Sequence, residues 1–142
     1  SVDVEDTLLQ QLWHPQISNE FKARLMNSLM SPTAPEAYRK ETSYIYASGW
    51  PPLFSGDLHY YGKEFDLTEQ AQHIDTRLLD VYILNGEYDT SGTVEGGKLA
   101  HETIKGSKWV EMKGMGHFPM SEDPIRFNEY LLPILQEIQN AE

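Results

Sequence analysis

The sequence predicts an α/β fold with parallel strands in its second part and a helical region before them. A short apolar run, LLDVYILNG at 78–86, ends in Asn-Gly and is typical of a buried strand. An alternating segment, KWVEM at 108–112, lies between Gly106 and Gly114 and predicts a second strand. A helical pattern follows each segment. The order strand, helix, strand, helix is typical of a parallel pair joined by a right-handed crossover.

The chain changes character near residue 77, and the part before it reads as helices and aromatic loops. A first helix is predicted after Asp3, a favoured N-cap residue. Its apolar positions are Leu8, Leu9 and Leu12. A second helix is predicted between Ser18, as its cap, and Pro32, which ends it. Its apolar positions recur every four residues, at Phe21, Leu25 and Leu29.

A third helix is predicted from about Pro35, which suits a first turn, to Gly49. The segment that follows, GWPPLFSGDLHYYGKEFDL at 49–67, is too rich in Gly, Pro and aromatic residues for a regular element. Asp66 and Glu69 stand at capping-box spacing and predict one short helix before residue 77. In the second helix, Met26 and Met30 are expected to be core residues.

The second part continues with two predicted helices. The first covers residues 93–104. The second begins at Pro124, with Ser121 as its expected cap, and has the strongest helical periodicity in the chain. Its apolar positions are Phe127, Tyr130, Leu131, Ile134, Leu135 and Ile138. Pro133 lies inside this pattern and is expected to kink the helix or leave one carbonyl unpaired.

Composition excludes several classes of partner and site. The 142 residues contain 11 Lys plus Arg against 22 Asp plus Glu, a net charge of -11, so we expect no nucleic-acid or membrane partner. There is no cysteine and hence no disulfide or thiolate nucleophile. We expect no cofactor, and no metal site because the histidines lack ligand spacing. Residues 1–20 lack a signal-peptide pattern, which favours a cytoplasmic location over a secreted one.

Two chemically capable side chains follow the two predicted strands. Asp89 comes just after the first strand, in NGEYD, and His117 just after the second, in GMGH. The carboxyl ends of adjacent parallel strands meet at one edge of a sheet, so a carboxylate and an imidazole are expected together. Such a carboxylate fixes the imidazole tautomer while Nε2 serves as general base. Gly114 and Gly116 are expected to let the His117 loop turn sharply and to place His117 without steric conflict.

The segment VYILNGEYD…GSKWVEMKGMGHFPMSEDPIRFNEYLLPIL resembles the C-terminal half of an α/β-hydrolase. There, G-x-x-D follows one strand, G-x-G-H-F the next, and E-x-P precedes a final helix. The resemblance covers roughly residues 66–138. It implies that Asp89 is the triad acid and His117 the triad base, in the order this family uses. It also implies that residues 1–65 form a helical cap and 66–142 the C-terminal part of the core.

The nucleophile of that family is missing from this sequence. No G-x-S-x-G occurs in the 142 residues, and two strands alone are too few for a stable parallel sheet. We therefore expect a partner: an N-terminal half bearing the nucleophile, either a separate chain left by proteolysis, as in a heterodimer, or a piece absent from this sequence.

The resemblance implies an ester or lactone hydrolase if the nucleophile is Ser, with amide or carbon–carbon cleavage also open. An Asp nucleophile would make it an epoxide hydrolase or a dehalogenase. The alternative from another class is a non-catalytic ligand-binding relative.

An aromatic cluster is the candidate substrate pocket. It comprises Trp50, Phe54, Tyr60, Tyr61 and Phe118. Pockets for small molecules are mostly apolar, so this cluster implies a substrate with an apolar or aromatic moiety. The competing interpretation is packing between cap and core. Glu87 is an alternative acid, but its side chain is expected to point the other way. Glu122 and Asp123, near the last helix, are expected to be cap and dipole residues and not to take part in catalysis.

Overall fold

The computed structural model describes residues 19–49, 60 and 66–141. The first predicted helix, after Asp3, and most of the segment 49–67 lie outside these ranges. The described elements, in chain order, are α1 (Asn19–Ser28), α2 (Glu36–Ala47), a 3-10 helix (Ala71–His73), β1 (Tyr82–Gly86), α3 (Val94–Thr103), β2 (Lys108–Met112), α4 (Pro119–Glu122) and α5 (Pro124–Asn140).

Strands β1 and β2 pair in parallel, which confirms the predicted topology. Tyr82 is opposite Lys108 and Gly86 is opposite Met112, so both strands end at the same edge. Helix α3 connects them. The predicted start of β1 at residue 78 was wrong, because the strand begins four residues later. Leu78 lies before the strand and is exposed. Strand β2 begins at Lys108, whose amide donates to the Val81 carbonyl at 2.8 Å, directly before β1.

Capping residues explain where the helices of the second part begin. The Thr93 hydroxyl accepts from the Gly96 amide at 3.1 Å and starts α3 one residue after the predicted position. Asp123 caps α5 by accepting from the Arg126 amide at 3.1 Å. The expected cap, Ser121, was wrong, because Ser121 lies inside the short α4 and the chain breaks at Asp123.

Pro133 lies within α5, whose helical assignment continues through it to Asn140. Because proline has no N–H, the carbonyl of Glu129 loses its usual helical donor. Helix α5 contains no buried residue, and its apolar side chains are among the most exposed in the described chain.

Helices α1 and α2 pack against each other and enclose a small apolar core. Its buried members are Met26, Met30 and Phe118, with Leu25, Leu29 and Tyr46 packed around them. This confirms Met26 and Met30 as core residues. Both helices lie close to their predicted ranges. Because Phe118 follows the second strand, the core joins the helical region to the loop that carries His117.

The segment before β1 is less regular than the capping-box spacing indicated. The Asp66 carboxylate accepts from the Thr68 amide, two residues on, at 2.9 Å. This is a local turn of the kind that aspartate often makes and not a helix cap. A short helix before residue 77 is nevertheless present, as the single 3-10 turn at Ala71–His73. No helix in the described part of the chain is long and apolar enough to cross a bilayer.

We predict that Met30→Ala lowers the free energy of unfolding by about 2–5 kcal/mol, the usual cost of emptying a buried methionine site. Met30 is 3% exposed. The matched control is Met120→Ala, at a position that is 59% exposed, where the change should stay within about 0.5 kcal/mol. Urea denaturation of both variants measures the difference. Equal losses would contradict the assigned core.

Candidate active site

The ends of the two strands bring Asp89 and His117 into contact. The imidazole Nδ1 lies 3.0 Å from Asp89 Oδ1 and 3.1 Å from Oδ2. The predicted juxtaposition is therefore present. Because the carboxylate faces Nδ1, the Nδ1–H form of the ring is favoured, and Nε2 is left as the basic nitrogen. No described side chain bonds to Nε2.

Asp89 is held by its own turn. Its amide donates to the Gly86 carbonyl at 3.2 Å, which closes a tight turn directly after β1. Its Oδ1 accepts from the amides of Ser91 and Gly92 at 2.8 and 2.9 Å. These bonds fix the orientation of the carboxylate independently of the imidazole. The Asp89 side chain is 12% exposed and that of His117 is 34% exposed, so the pair is open on the histidine side.

The His117 loop is held by backbone bonds on two sides. On the sheet side, the Tyr88 amide donates to the Met115 carbonyl at 2.8 Å. This bond ties the loop that carries Asp89 (the acid loop) to the loop that carries His117. On the helical side, the His117 amide donates to the Leu29 carbonyl at 2.9 Å, just after α1. The imidazole also meets the edge of the Phe118 ring, with ring centroids 4.7 Å apart.

The two glycines of this loop have different roles. Gly114 has φ of +76°, a conformation that side chains rarely adopt, so it provides the predicted turn. Gly116 does not have a positive φ, and its role in this loop is the avoidance of steric conflict. A Cβ at position 116 would clash with the Ser31 amide nitrogen, so only glycine fits here without a shift of the backbone. The loop after α1 therefore lies directly against the histidine loop.

Glu122 is the residue that sequence reasoning missed. It was expected to cap a helix, but its side chain is fully buried, at 0% exposure. It accepts from the amide of Gly116, and from those of Ser31 and Phe118 at 3.3 Å each. Burial raises the pKa of Glu122, and the nearby charge of Asp89 adds to this, while the amide donors oppose it. The neighbouring Asp123 does cap α5, as expected.

Glu87 is not a second acid for the imidazole. Its Oε2 accepts from the Gly114 amide at 2.9 Å, and Oε1 lies 3.4 Å from Lys113 Nζ. The Gly114 amide is the main cause that lowers the pKa of Glu87. Glu87 thus fastens the start of the histidine loop, and Asp89 alone of the two carboxylates meets His117.

The aromatic cluster is only partly described. Trp50, Phe54 and Tyr61 lie outside the described residues, and Tyr60 is 45% exposed. Phe118 is 5% exposed and packs on the Tyr46 ring with centroids 4.3 Å apart. A substrate-binding role for these five residues stays a prediction.

A cleft of about 550 Å³ opens between the helical region and the acid loop. Arg39 of α2 and Met30, in the loop after α1, line one side of it, and Tyr88 and Thr90, which flank Asp89, line it too. Within the described ranges no three His, Asp or Glu side chains are placed to hold a metal ion.

No protein-family model and no curated protein sequence matches the chain. Two solved structures do. A bromoperoxidase from Bacillus anthracis superposes with a TM-score of 0.69 over 93% of this chain, at 21% identity. An N-acyl homoserine lactone degrading enzyme superposes with a TM-score of 0.60 over 88% of this chain, at 20% identity. Both have the α/β-hydrolase fold. This chain has the α/β-hydrolase fold too.

The chain spans about half the length of each solved neighbour, 51% of the bromoperoxidase and 50% of the lactone-degrading enzyme. Within the α/β-hydrolase fold, the described chain contributes two parallel strands, their crossover helix and the helices at either end. The fold relation confirms the predicted fold class. The roles of Asp89 and His117 remain proposals that rest on their geometry.

We predict that Gly116→Ala destabilises the chain by about 1–3 kcal/mol, because the added methyl must push the Ser31 backbone aside. The matched control is Gly96→Ala in α3, where the nearest atom to an added Cβ is Thr93 Oγ1 at 3.5 Å. That variant should gain about 0.4–1 kcal/mol. Thermal or urea unfolding distinguishes the two. A Gly116→Ala variant as stable as the parent would contradict the close contact.

The raised pKa of Glu122 predicts a specific pH dependence of stability. The folded chain binds this proton more tightly than the unfolded chain, so the contribution is complete below the ordinary pKa of 4.5. It is lost as the pH rises through the raised value. Relative to Glu122→Gln, which does not titrate, the parent should therefore lose stability from acid toward neutral pH. Urea unfolding of both proteins at several pH values measures this. A parent that gains stability relative to Glu122→Gln as the pH rises would contradict it.

Proposed function

We propose that the chain carries the acid and the base of a serine-type α/β-hydrolase that cleaves an ester or a lactone. The observation that supports this most directly is the contact of His117 Nδ1 with Asp89, at 3.0 and 3.1 Å. A carboxylate on Nδ1 and a half-exposed imidazole with no described partner on Nε2 are the arrangement that a general base needs. Asp89 orients the ring and stabilises its charged form.

The proposed reaction uses His117 twice. Nε2 takes the proton of a nucleophile hydroxyl as its oxygen attacks the carbonyl carbon, and a tetrahedral intermediate forms. The imidazolium then gives that proton to the leaving alcohol oxygen, the carbon–oxygen bond breaks, and an acyl-enzyme remains. In the second half, Nε2 takes a proton from water as the water attacks the acyl carbon. Return of that proton to the nucleophile oxygen releases the acid.

The nucleophile is proposed to lie on an N-terminal half of the same hydrolase. Three observations support this: the chain spans half the length of its solved neighbours, its sequence contains no G-x-S-x-G, and its described sheet has two strands. Helix α5 adds a fourth, because its apolar side chains need a cover. They include Ile125 at 68%, Leu132 at 50% and Leu135 at 48% exposure.

Residues 1–65 are proposed to be the cap and 66–142 the C-terminal part of the core. The packing of α1 on α2, and of both on the histidine loop through Met26, Met30 and Phe118, supports this division. A cap in this position borders the cleft beside Asp89. The lactone-degrading neighbour supports an ester or lactone as the bond cleaved, and the aromatic cluster supports an apolar or aromatic substrate.

We predict that His117→Ala nearly abolishes hydrolysis of a nitrophenyl ester by the protein assembled with its nucleophile-bearing half, while folding is preserved. Asp89→Asn should lower turnover by roughly 10⁴-fold, because the ring loses its orientation and its charge partner. The matched controls are His73→Ala and Asp80→Asn, both at exposed positions outside the site. Initial rates measure turnover, and circular dichroism checks the fold.

Unchanged rates in both site variants would show that the site is assigned wrongly. A parent protein that turns over no ester but is active on an epoxide or a haloalkane would point to an Asp nucleophile. Tight binding without turnover of any of these substrates would favour a ligand-binding relative.

A further inference from the structure

Glu122 is a deeply buried ionisable group to which the proposed reaction gives no role. Glu122 is 0% exposed, and it is the only acidic side chain among the largest fully buried side chains of the described chain. A buried carboxyl group costs free energy unless hydrogen bonds compensate for the lost water. Three backbone amides do so here. Their positions in the chain indicate what the carboxyl group is for.

Two of the three amides flank the proposed base. Gly116 and Phe118 are the residues directly before and after His117, and both donate to Glu122, one to each oxygen. The peptide on either side of the histidine is therefore anchored to the same side chain. A carboxyl group suits this arrangement because it offers two oxygens as acceptors, whereas an amide offers one.

The third amide comes from the helical region. Ser31, in the loop after α1, donates to Oε1, the oxygen that also accepts from Gly116. Two residues earlier, the Leu29 carbonyl accepts from the His117 amide at 2.9 Å. The loop after α1 thus both donates and accepts around His117. Without Glu122, the Ser31 and Gly116 amides would face each other with no acceptor between them.

We propose that Glu122 is a positioning residue, which clamps the His117 loop to residues 29–31 and so keeps the imidazole directed from Asp89 toward the nucleophile. This inference rests on the proposed function for its catalytic consequence. The clamp acts on the backbone that carries the ring, whereas Asp89 acts on the ring itself. Asp89 sets which nitrogen is basic, and Glu122 sets where that nitrogen stands.

The size of the effect follows from geometry. A displacement of about 1 Å of a catalytic group costs roughly 10²-fold in rate, since the near-attack arrangement is lost. Removal of the clamp should move or loosen His117 without touching the substrate. The loss should therefore fall on kcat and leave KM nearly unchanged. A purely structural role would lower stability and the amount of active protein, without a change in the kcat of the folded fraction.

The test compares Glu122→Ala, Glu122→Gln and the control Glu69→Gln, an exposed position before the 3-10 helix. Each is assayed in the protein assembled with its nucleophile-bearing half, with active sites counted by burst titration. We expect kcat to fall about 10²-fold in the alanine variant and roughly tenfold in the glutamine variant, whose amide oxygen can still serve Gly116 and Ser31. KM should stay within about twofold and the control should match the parent.

A second measurement does not need turnover. Hydrogen exchange followed by nuclear magnetic resonance should show faster exchange of the Phe118 amide in Glu122→Gln, because the oxygen that accepts from it becomes an NH2 group. The Gly116 amide, which keeps its acceptor, should change less, and the imidazole nitrogen signals of His117 should shift. Glu122→Gln serves here because it is the variant that keeps most of the clamp and hence the fold.

Unchanged exchange, unchanged His117 signals and unchanged kcat in Glu122→Gln would overturn the proposal. So would a loss confined to stability. If the parent itself turns over no ester, the proposed function fails, and the exchange and imidazole measurements still decide whether Glu122 positions the His117 loop.

Discussion

The parallel pairing of β1 with β2 is the constraint on which the candidate site depends. Gly86 stands opposite Met112 at the common edge, and the pairing extends past the strands, because the Glu87 and Tyr88 amides donate to the Met112 and Met115 carbonyls. A slip of one residue would reverse which face each side chain points to. Register therefore brings Asp89 and His117 to the same edge, where the turns after the strands complete their contact.

The two carboxyl groups nearest the histidine show how environment assigns different tasks to the same chemistry. Asp89 accepts from two amides and from the imidazole, and its side chain remains slightly open to solvent. Glu122 accepts from amides only and is fully enclosed. A carboxylate that must stabilise a cation needs a polar setting, whereas one that fixes backbone benefits from exclusion of competing water. The distinction lies in packing and not in residue type.

Local signals in the sequence predicted most of the fold. The alternation of KWVEM gave β2 with its observed ends, and Met26 and Met30 were predicted to be core and not a binding surface. The contact of Asp89 with His117 followed from strand order. Other features depend on contacts distant in the chain. The late start of β1 is set by where β2 begins, and Glu122 looked like a cap because its partner Ser31 lies in another element.

The clamp at Glu122 also has a consequence for the order in which the site assembles. Asp89 and His117 are 28 residues apart, within one strand–helix–strand unit, whereas Ser31 and Glu122 are 91 residues apart. Contacts of long sequence separation carry a larger entropic cost of chain closure and form later. The acid and the base can thus meet as soon as the two strands pair. Their final alignment requires the contact between the first and last thirds of the chain, so the site is complete only when the whole chain has folded.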